Sequence, residues 1–318
     1  MNKIDNQMLK RKTLDLTFSV VKYIFIISIC YLFIFPFLYL LVSSVQSVDV
    51  MDDQSVVWIP KEFTLNNYVK AFQMLDFAKS FAITMLISVT ATLATIFSCG
   101  MAGYSLARFK FIERNIIFFV VLVLIIIPPQ TTLMSTFLNY RFFNPFGIMS
   151  IFNRKEEVAG VNLINSPLTM ILPAIFASGI RAGLMIFIFR QFFLGQPKEL
   201  EEAAKIDGCG VFSTYFKIML PLSSPAIISV YVFSFVWYWN DSFYSSLFFD
   251  GDLKPLTAQL DMLRITLTSE NAFVSYSPQE QKAFISAAAI LCVIVPLILY
   301  MIIQKRFSES IERVGIVG

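Results

Sequence analysis

Six long apolar segments constrain this chain more than any other feature of its sequence. A helix needs about 20 mostly apolar residues to cross the hydrocarbon core of a bilayer, and its backbone must satisfy its own hydrogen bonds there. The mean hydropathy of the whole chain is +0.69. The sequence therefore predicts an all-α membrane protein with six transmembrane helices. The predicted spans are residues 18–42, 80–105, 115–138, 168–193, 219–243 and 283–304.

The first apolar segment also fits a second interpretation, a cleavable signal peptide. Its apolar run exceeds the roughly 7–15 residues of a signal-peptide core, and no small-residue cleavage site follows it. We therefore predict that this segment is retained as a membrane helix.

The composition excludes several kinds of chemistry. The 318 residues contain no histidine, which removes histidine-based catalytic triads and metal sites. The four cysteines lie far apart, so they match neither a disulfide framework nor a zinc site. The net charge of +3 gives no reason to expect a nucleic-acid partner. We predict no catalytic residues, no metal and no cofactor bound by this chain.

Lys and Arg are distributed unevenly between the two sides of the predicted membrane. If the N-terminus lies inside, the short inner segments hold most basic residues and the longer outer loops hold fewer. Because basic residues accumulate in cytoplasmic loops, we predict that both termini are cytoplasmic. The predicted layout is a tail at 1–17, a first helix with an extracellular loop at 18–79, a five-helix core at 80–304 and a tail at 305–318.

Three long loops are predicted on the outer side, at residues 43–79, 139–167 and 244–282. In the first loop, residues 64–72 predict a capped amphipathic helix, which suits a simple interfacial helix and a partner site equally well. The third loop is long enough to reach a soluble partner outside the cell. It carries the acidic residues Asp250, Asp252, Asp261, Glu270 and Glu280.

A short polar segment separates the fourth and fifth predicted spans. Pro197 suits the first position of a helix, and the acidic residues that follow suit its positive end. Ala203 and Ala204 are strong helix formers with almost no side chain, and Gly208 suits the left-handed residue that ends a helix. We predict a helix at about 197–208 whose small, smooth face another protein can approach closely.

Propensity alone would equally suit a helix that merely connects two spans, so the spacing of this segment decides its interpretation. Glu-Ala-Ala, three residues, Gly, nine residues and Ile-x-Leu-Pro resemble the cytoplasmic EAA loop through which permeases of ABC importers couple to their ATPases. The resemblance implies a coupling role for Glu202, Ala203, Ala204, Asp207, Gly208, Ile218, Leu220 and Pro221.

Other segments resemble carbohydrate-importer permeases in the same order along the chain. They are residues 102–108 (AGYSLAR), 190–193 (RQFF) with 197–200 (PKEL), and 239–243 (WNDSF). The whole chain resembles the MalG-type subunit of importers that take oligosaccharides, which implies the MetI-like fold of type I ABC importer permeases. Residues 242–246 and 308–318 depart from the pattern of that group.

The resemblance also implies a set of partners. The chain would form a heterodimer with a second permease subunit in a bacterial plasma membrane and would supply half of the translocation pathway. Two cytoplasmic ATPase subunits would hold ATP and Mg, and an extracellular solute-binding protein would deliver the saccharide. The chain has no Gly-rich phosphate-binding loop of its own, so it would be a transport subunit and not an enzyme.

Arg181 places a charge near the middle of the fourth predicted span, where it costs roughly 2.5–3.5 kcal/mol to insert. It should therefore face protein or a water-filled cavity. Two roles fit: a pathway group that binds sugar hydroxyls or a carboxylate, and a structural partner of Asp241 or of a backbone carbonyl. Gly179 and Gly183 flank it, with a spacing that favours close helix packing or the relief of a kink.

Two consecutive prolines interrupt the third predicted span. Pro128 and Pro129 leave backbone carbonyls without helical partners, so neighbouring groups or water must satisfy them. We therefore predict a bend in this span near the pathway.

Aromatic and polar residues cluster at the end of the fifth predicted span. Aromatic rings offer flat faces to the C–H side of a sugar, and Asn and Asp bind its hydroxyls. An interfacial aromatic belt is an equal alternative, although it does not explain the amide and the carboxylate. With Arg181, the candidate pathway residues are Trp239, Asn240, Asp241, Phe243 and Tyr244.

Three other classes of function compete with a saccharide importer. A permease for a non-sugar solute, such as a peptide, would share the EAA loop. An ion-coupled carrier would require acidic groups deep in the spans, which hold almost none, and the chain shows no internal duplication of the kind found in many such carriers. An intramembrane enzyme would require a catalytic cluster that the spans lack. We therefore predict a saccharide permease subunit.

Overall fold

The computed structural model describes residues 2–51, 59–147, 160–251, 253–269 and 276–315, and most of them are helical. We number the α-helices in chain order. They are α1 (Asn2–Val45), α2 (Asn66–Met74), α3 (Phe77–Arg108), α4 (Arg114–Ile126), α5 (Leu133–Arg141), α6 (Leu168–Ile175), α7 (Ala182–Gly195), α8 (Glu199–Ile206), α9 (Val211–Thr214), α10 (Leu220–Leu222), α11 (Ser224–Trp239), α12 (Phe243–Phe248), α13 (Leu256–Thr268) and α14 (Pro278–Gly315).

Three of the predicted spans are single continuous helices. Within the described part of the chain, Leu14–Val45, Phe77–Arg108 and Pro278–Phe307 are each long and apolar enough to cross a membrane. They contain the first, second and sixth predicted spans. The all-α prediction is therefore confirmed, and the count of six spans stays a prediction.

The other three predicted spans are interrupted. The third bends by 99° between Arg114–Ile126 and Pro129–Arg141, at the two prolines where the sequence predicts a bend. The fifth bends by 77° between Val211–Leu222 and Ser224–Trp239. The fourth is broken between α6 and α7. The expectation of one continuous helix over 168–193 is wrong, because residues 177 and 181 adopt left-handed backbone angles that cannot continue a right-handed helix.

The chain divides into two compact units, and the first comprises Met1–Gln73 and Arg264–Leu291. In this unit, the side-chain amide of Asn67 in α2 donates hydrogen bonds to the carbonyls of Ser44 (3.0 Å) and Gln46 (2.9 Å). The hydroxyls of Ser44 and Tyr68 are 2.8 Å apart. The amphipathic helix predicted at residues 64–72 is thus confirmed, starting at Asn66, and polar contacts fix it to the end of α1.

The second unit comprises Met74–Leu263 and Cys292–Gly318, and α3 lies at its centre. Helices α6, α7 and α11 all pack against α3. Small polar side chains recur at helical spacing along the buried face of α3, and they let neighbouring helices approach closely. They are Ser80, Thr84, Ser88, Thr92 and Thr95. The predicted domain boundaries at residues 17, 79 and 304 stay predictions.

Candidate coupling loop and membrane pathway

The EAA loop, residues 197–221, begins with the short helix α8. This helix covers Glu199–Ile206, so it starts two residues after Pro197, which lies outside it. It ends as the sequence predicts. Gly208 has φ of +76°, its N–H donates to the Lys205 carbonyl (3.1 Å), and the Cys209 N–H donates to the Ala204 carbonyl (2.9 Å). This pair of bonds is a Schellman motif, which satisfies carbonyls at the end of the helix.

The inner face of α8 is held by an arginine at the end of α3. Arg108 donates a hydrogen bond through Nη2 to the Gln196 carbonyl (2.7 Å), and its Nε lies 3.3 Å from Oε1 of Glu201. Only 5% of the Arg108 side chain and 14% of the Glu201 side chain are exposed. The Nε–Oε1 contact pairs charges without good hydrogen-bond geometry. Ala204 is buried on the same side of α8.

The outer face of α8 and the turn that follows are uncovered. Glu202, Ala203, Asp207 and Gly208 are all exposed. Next to them lie large apolar side chains that are also exposed, Ile206 (87%), Val211 (53%) and Phe212 (68%). Exposed apolar clusters of this kind occur where a protein contacts a partner protein or a membrane.

The segment that returns from the loop is anchored in the core by Tyr215. A π-helix covers Tyr215–Met219, and the buried Tyr215 ring lies 5.0 Å from the ring of Tyr104 in α3. Ile218 and Leu220 are half-buried, while Pro221 is exposed. The 77° bend between Leu222 and Ser224 follows directly. The end of the EAA loop is therefore fixed to α3 as well.

Arg190 is a part of this region that sequence reasoning did not assign. It lies in α7, where its Nε donates to the Leu106 carbonyl (3.3 Å) and its guanidinium lies 3.7 Å from the ring centre of Phe118. Arg108 and Arg190 both bind carbonyls near helix ends, where carbonyls lack helical partners. Arg108 belongs to the run AGYSLAR and Arg190 to the run RQFF, but the spacing of these runs did not indicate the contacts.

Arg181 lies at the break in the fourth predicted span, directly before α7. Its side chain is exposed, and its guanidinium lies 4.8 Å from the ring centre of Trp237. It makes no ion pair with any described residue. The suggested pairing with Asp241 is therefore not what the structure contains.

Neighbouring side chains hold the break in place. The Ser98 hydroxyl donates to the Ala174 carbonyl (2.6 Å), and the Ile180 N–H donates to the Tyr238 hydroxyl (3.2 Å). A Cβ at Gly179 would lie 2.2 Å from that hydroxyl, and one at Gly183 would lie 3.0 Å from the Val121 carbonyl oxygen in α4. Gly179 therefore leaves room for the backbone break, and Gly183 allows α7 to pack closely against α4. Both interpretations of the glycine pair apply.

Trp239 lies in the interior of the second unit. Its side chain is fully buried, and its indole N–H donates to the Cys292 carbonyl in α14 (2.9 Å). That carbonyl lacks its usual helical partner, because the residue four positions later is Pro296, which has no N–H. The indole therefore satisfies a carbonyl that the proline leaves free.

Asp241 organises the short helix α12. Its carboxylate accepts hydrogen bonds from the Ser245 N–H (2.8 Å), the Ser245 hydroxyl (3.0 Å) and the Tyr244 N–H (3.3 Å). Asn240 and Phe243 are exposed, and the half-buried ring of Tyr244 stacks on Phe248. The structure thus places these candidates in one segment, but Trp239 and Asp241 already have internal partners.

The broken apolar helices and the uncovered polar loop define a membrane permease of a transport complex. The chain belongs to the family of binding-protein-dependent transport system inner membrane components, whose model matches residues 94–313. This match covers most of the second unit, including the whole EAA loop.

Relatives cover nearly the whole chain. The polygalacturonan/rhamnogalacturonan transport system permease protein YtcP of Bacillus subtilis is 27% identical over 92% of this chain and 96% of its own length. The osmoprotective compounds uptake permease protein GgtD of Synechocystis is 29% identical over 91% and 89%. The arabinooligosaccharides transport system permease protein AraQ of Halalkalibacterium halodurans is 26% identical over 91% and 93%.

The fold matches that of a solved importer. A chain in the crystal structure of a bacterial ABC transporter involved in the import of the acidic polysaccharide alginate superposes with a TM-score of 0.73. The match covers 92% of this chain and 97% of that chain at 21% identity. This likeness establishes the MetI-like permease fold for the chain.

Proposed function

We propose that this chain forms half of the translocation pathway of an ATP-driven ABC importer for an oligosaccharide. The observation that carries the proposal is the family match over residues 94–313, which includes an EAA loop whose outer face is uncovered. Relatives over nearly the whole chain bear the names of polygalacturonan and arabinooligosaccharide permeases. In this proposal, the chain crosses the membrane six times, with both termini and the EAA loop in the cytoplasm.

The exposed face of α8 is the proposed contact with an ATPase subunit. Glu202, Ala203 and Asp207 lie on that face, and Ile206 and Phe212 add apolar area beside it. A few residues in well-packed, desolvated pockets near the centre of an interface contribute most of its binding free energy. Movement of the ATPase dimer would then be transmitted through α8 to the membrane helices.

The proposed complex contains three further kinds of subunit. They are a second permease subunit, two ATPase subunits that hold ATP and Mg, and an extracellular solute-binding protein. This chain itself would bind no cofactor and would have no ATPase site. The apolar surface of α1 is exposed from Leu14 to Tyr39, so in the assembled complex it would face lipid or the second permease subunit.

The proposed pathway residues divide into two groups. Arg181, Asn240 and Phe243 are exposed and Tyr244 is half-exposed, so these side chains are free to touch a saccharide. Trp239 and Asp241 would shape the wall of the pathway through the contacts that they make with α14 and α12.

Uptake by the purified complex tests the main proposal. The tagged chain would be isolated in mild detergent with its co-purifying subunits and reconstituted in vesicles with the binding protein. We expect uptake of a labelled oligosaccharide that requires ATP and is unaffected by ionophores. Uptake that needs an ion gradient and no ATP would contradict the proposal and favour a secondary carrier.

A pair of variants at one position tests the coupling surface. Ala203→Trp fills the smooth outer face of α8, whereas Ala203→Ser keeps it small. We expect the tryptophan variant to lose the ATPase subunits during purification while the permease remains folded. The serine variant should retain them. Equal retention of the ATPase by both variants would show that this face is not the contact.

A non-sugar solute is the second candidate, because a relative of similar identity is named an uptake permease for osmoprotective compounds, a name that specifies no sugar. Competition by unlabelled betaine against labelled oligosaccharide in the same vesicles separates the two. We expect no competition by betaine.

A further inference from the structure

Arg181, at the break between α6 and α7, packs against an aromatic ring. The guanidinium of Arg181 lies 4.8 Å from the ring centre of Trp237, a cation–π distance. The hydrogen bonds of Ser98 and Tyr238 fix the backbone of this break. The position of Arg181 is therefore set by α3 and α11 together and is not that of a free loop.

Arg181 lacks a counter-ion among the described residues. Asp241, the acid that the sequence suggested as its partner, is engaged by the first turn of α12. A cation at this depth of a membrane protein is costly unless an anion or water accompanies it. The ring of Trp237 lies 4.8 Å from the guanidinium, and a guanidinium supported by an aromatic ring can still bind a carboxylate through two parallel hydrogen bonds.

We infer that Arg181, supported by Trp237, binds the carboxylate of an acidic saccharide, so that the transported oligosaccharide contains uronate units. This inference rests on the proposed import of saccharides. Hydroxyls of a neutral sugar can accept hydrogen bonds from Arg181 but cannot compensate its charge. A uronate does both, and it is a carboxylate at the end of a rigid sugar ring, which suits a fixed cation.

Uptake of matched trisaccharides by the reconstituted complex tests the inference. The probes are labelled trimers of galacturonate, mannuronate and guluronate, and neutral trimers of arabinose and glucose. We expect the unmodified complex to import a uronate trimer in preference to the neutral ones. Arg181→Gln should reduce that uptake about tenfold or more, as expected for a lost charged hydrogen bond, and Arg181→Lys, which keeps the charge but not the planar fork, should give an intermediate uptake.

Four outcomes would contradict either the inference or the function on which it rests. Import of neutral trimers only would exclude a uronate substrate and leave the proposed function standing, whereas import of no trimer at all would count against the proposed function itself. Unchanged uronate uptake by Arg181→Gln would remove Arg181 from the pathway. Loss of the second permease subunit from the Arg181→Gln complex would assign Arg181 to a structural ion pair with that subunit.

A second inference rests on the contacts of Arg108 and Glu201, which are separate from those of Arg181. Both side chains are largely buried, and Arg108 contacts the Gln196 carbonyl and the Glu201 carboxylate at once. The EAA residues proposed to meet the ATPase lie on the opposite, exposed face of α8. Glu201 thus faces α3 and not the ATPase.

We infer that Arg108 is a positioning residue that transmits the movement of α8 to α3. Because α3 packs against α6, α7 and α11, a fixed link at its end would carry displacement of the loop into the helices around the break. A buried pair of this kind resists separation, since breaking it leaves an uncompensated buried charge.

The ratio of ATP hydrolysed to saccharide imported tests this role, because a merely structural contact would not change it. We expect Arg108→Gln and Glu201→Gln each to raise the ratio about fivefold or more while the ATPase subunits remain bound. The double variant should be no worse than either single one, as for residues that act as a unit. Glu199→Gln, an exposed change on the same helix, is the control.

Unchanged ratios in both single variants would overturn the inference. Effects that multiply in the double variant would also overturn it, because they would mean that the two residues act separately. If the single variants fail to assemble, Arg108→Lys keeps the charge and should assemble with an intermediate ratio, and a normal ratio in that variant would likewise contradict the role of the planar guanidinium.

Discussion

The EAA loop and the aromatic–polar cluster of residues 237–244 are the two most distinctive motifs of the sequence, and the structure uses them in opposite ways. In the loop, the motif residues Glu202, Ala203 and Asp207 are exposed, and the side chains that attach the loop to α3, those of Glu201 and Tyr215, lie outside the motif. In the cluster, the motif residues Trp239 and Asp241 are themselves the internal contacts.

The two motifs show how a partner surface differs from a structural motif. The small and apolar residues on the exposed face of α8 contribute little to the stability of the fold, because the opposite face of the helix makes the contacts with α3. Substituting these exposed residues should therefore not destabilise the fold. Buried polar groups must be paired, because an unpaired one costs about 1–3 kcal/mol. The first kind of motif therefore indicates a partner, and the second indicates packing until an exposed member, such as Asn240, is tested separately.

The largest expected effect is at the support of the EAA loop. A Cβ at Gly103 would lie 2.6 Å from Cβ of Phe189 and 3.0 Å from the Arg190 backbone nitrogen, so Gly103→Ala must push α3 and α7 apart. We expect the free energy of unfolding to fall by about 3 kcal/mol, the upper end of the range for overpacking, measured as a lower thermal midpoint of the detergent-solubilised protein. Gly210→Ala, with open space around it, is the matched control. Equal thermal midpoints for the two variants would mean that α3 and α7 are not closely packed at Gly103.

The next effect tests the structural role of the cluster. Trp239→Phe leaves the Cys292 carbonyl without a partner, at a cost of about 2 kcal/mol. Pro296→Ala supplies a backbone N–H to that carbonyl, so the double variant should recover most of the lost thermal stability. If Pro296→Ala does not rescue Trp239→Phe, the hydrogen bond is not the reason that Trp239 is buried.

A smaller effect separates two adjacent residues of the cluster. Asp241→Ala removes the acceptor for the first turn of α12 and should cost about 1 kcal/mol, as for a lost helix cap. Asn240→Ala changes an exposed side chain and should leave the thermal midpoint unchanged, while saccharide uptake falls if Asn240 lines the pathway. A lower midpoint for Asn240→Ala would assign both residues to packing.

The smallest effect is at the end of α8. Gly208→Ala places a Cβ on a left-handed residue, at a cost of about 1 kcal/mol, with no clash because nothing lies nearby. We expect faster hydrogen exchange of the Gly208 and Cys209 amides. Gly208→Asn, which tolerates this backbone conformation better, should exchange almost normally. Equal exchange in all three proteins would show that the Schellman bonds do not hold the turn.

Much of the fold was predictable from local patterns. Hydrophobic length predicted the helices at α1, α3 and α14, two prolines predicted the bend in the third span, and Gly208 predicted the end of α8. The break at residues 176–181 was missed, because Ala177 and Arg181 have no intrinsic preference for left-handed angles. The break is held by the hydrogen bond that Ser98 donates to the Ala174 carbonyl and by the one that Tyr238 accepts from the Ile180 N–H, and no periodicity indicates either bond.

Hydrophobic length and helix caps predicted a helical membrane protein with a polar loop, because these signals act within a few turns of the chain, and the spacing of that loop resembled the EAA loop of permeases. Which motif residues face outward depended on how the helices pack. Arg108 meets Glu201, and Trp239 meets the carbonyl freed by Pro296, across long stretches of sequence. Such contacts depend on how the helices pack, and residue order alone does not specify that.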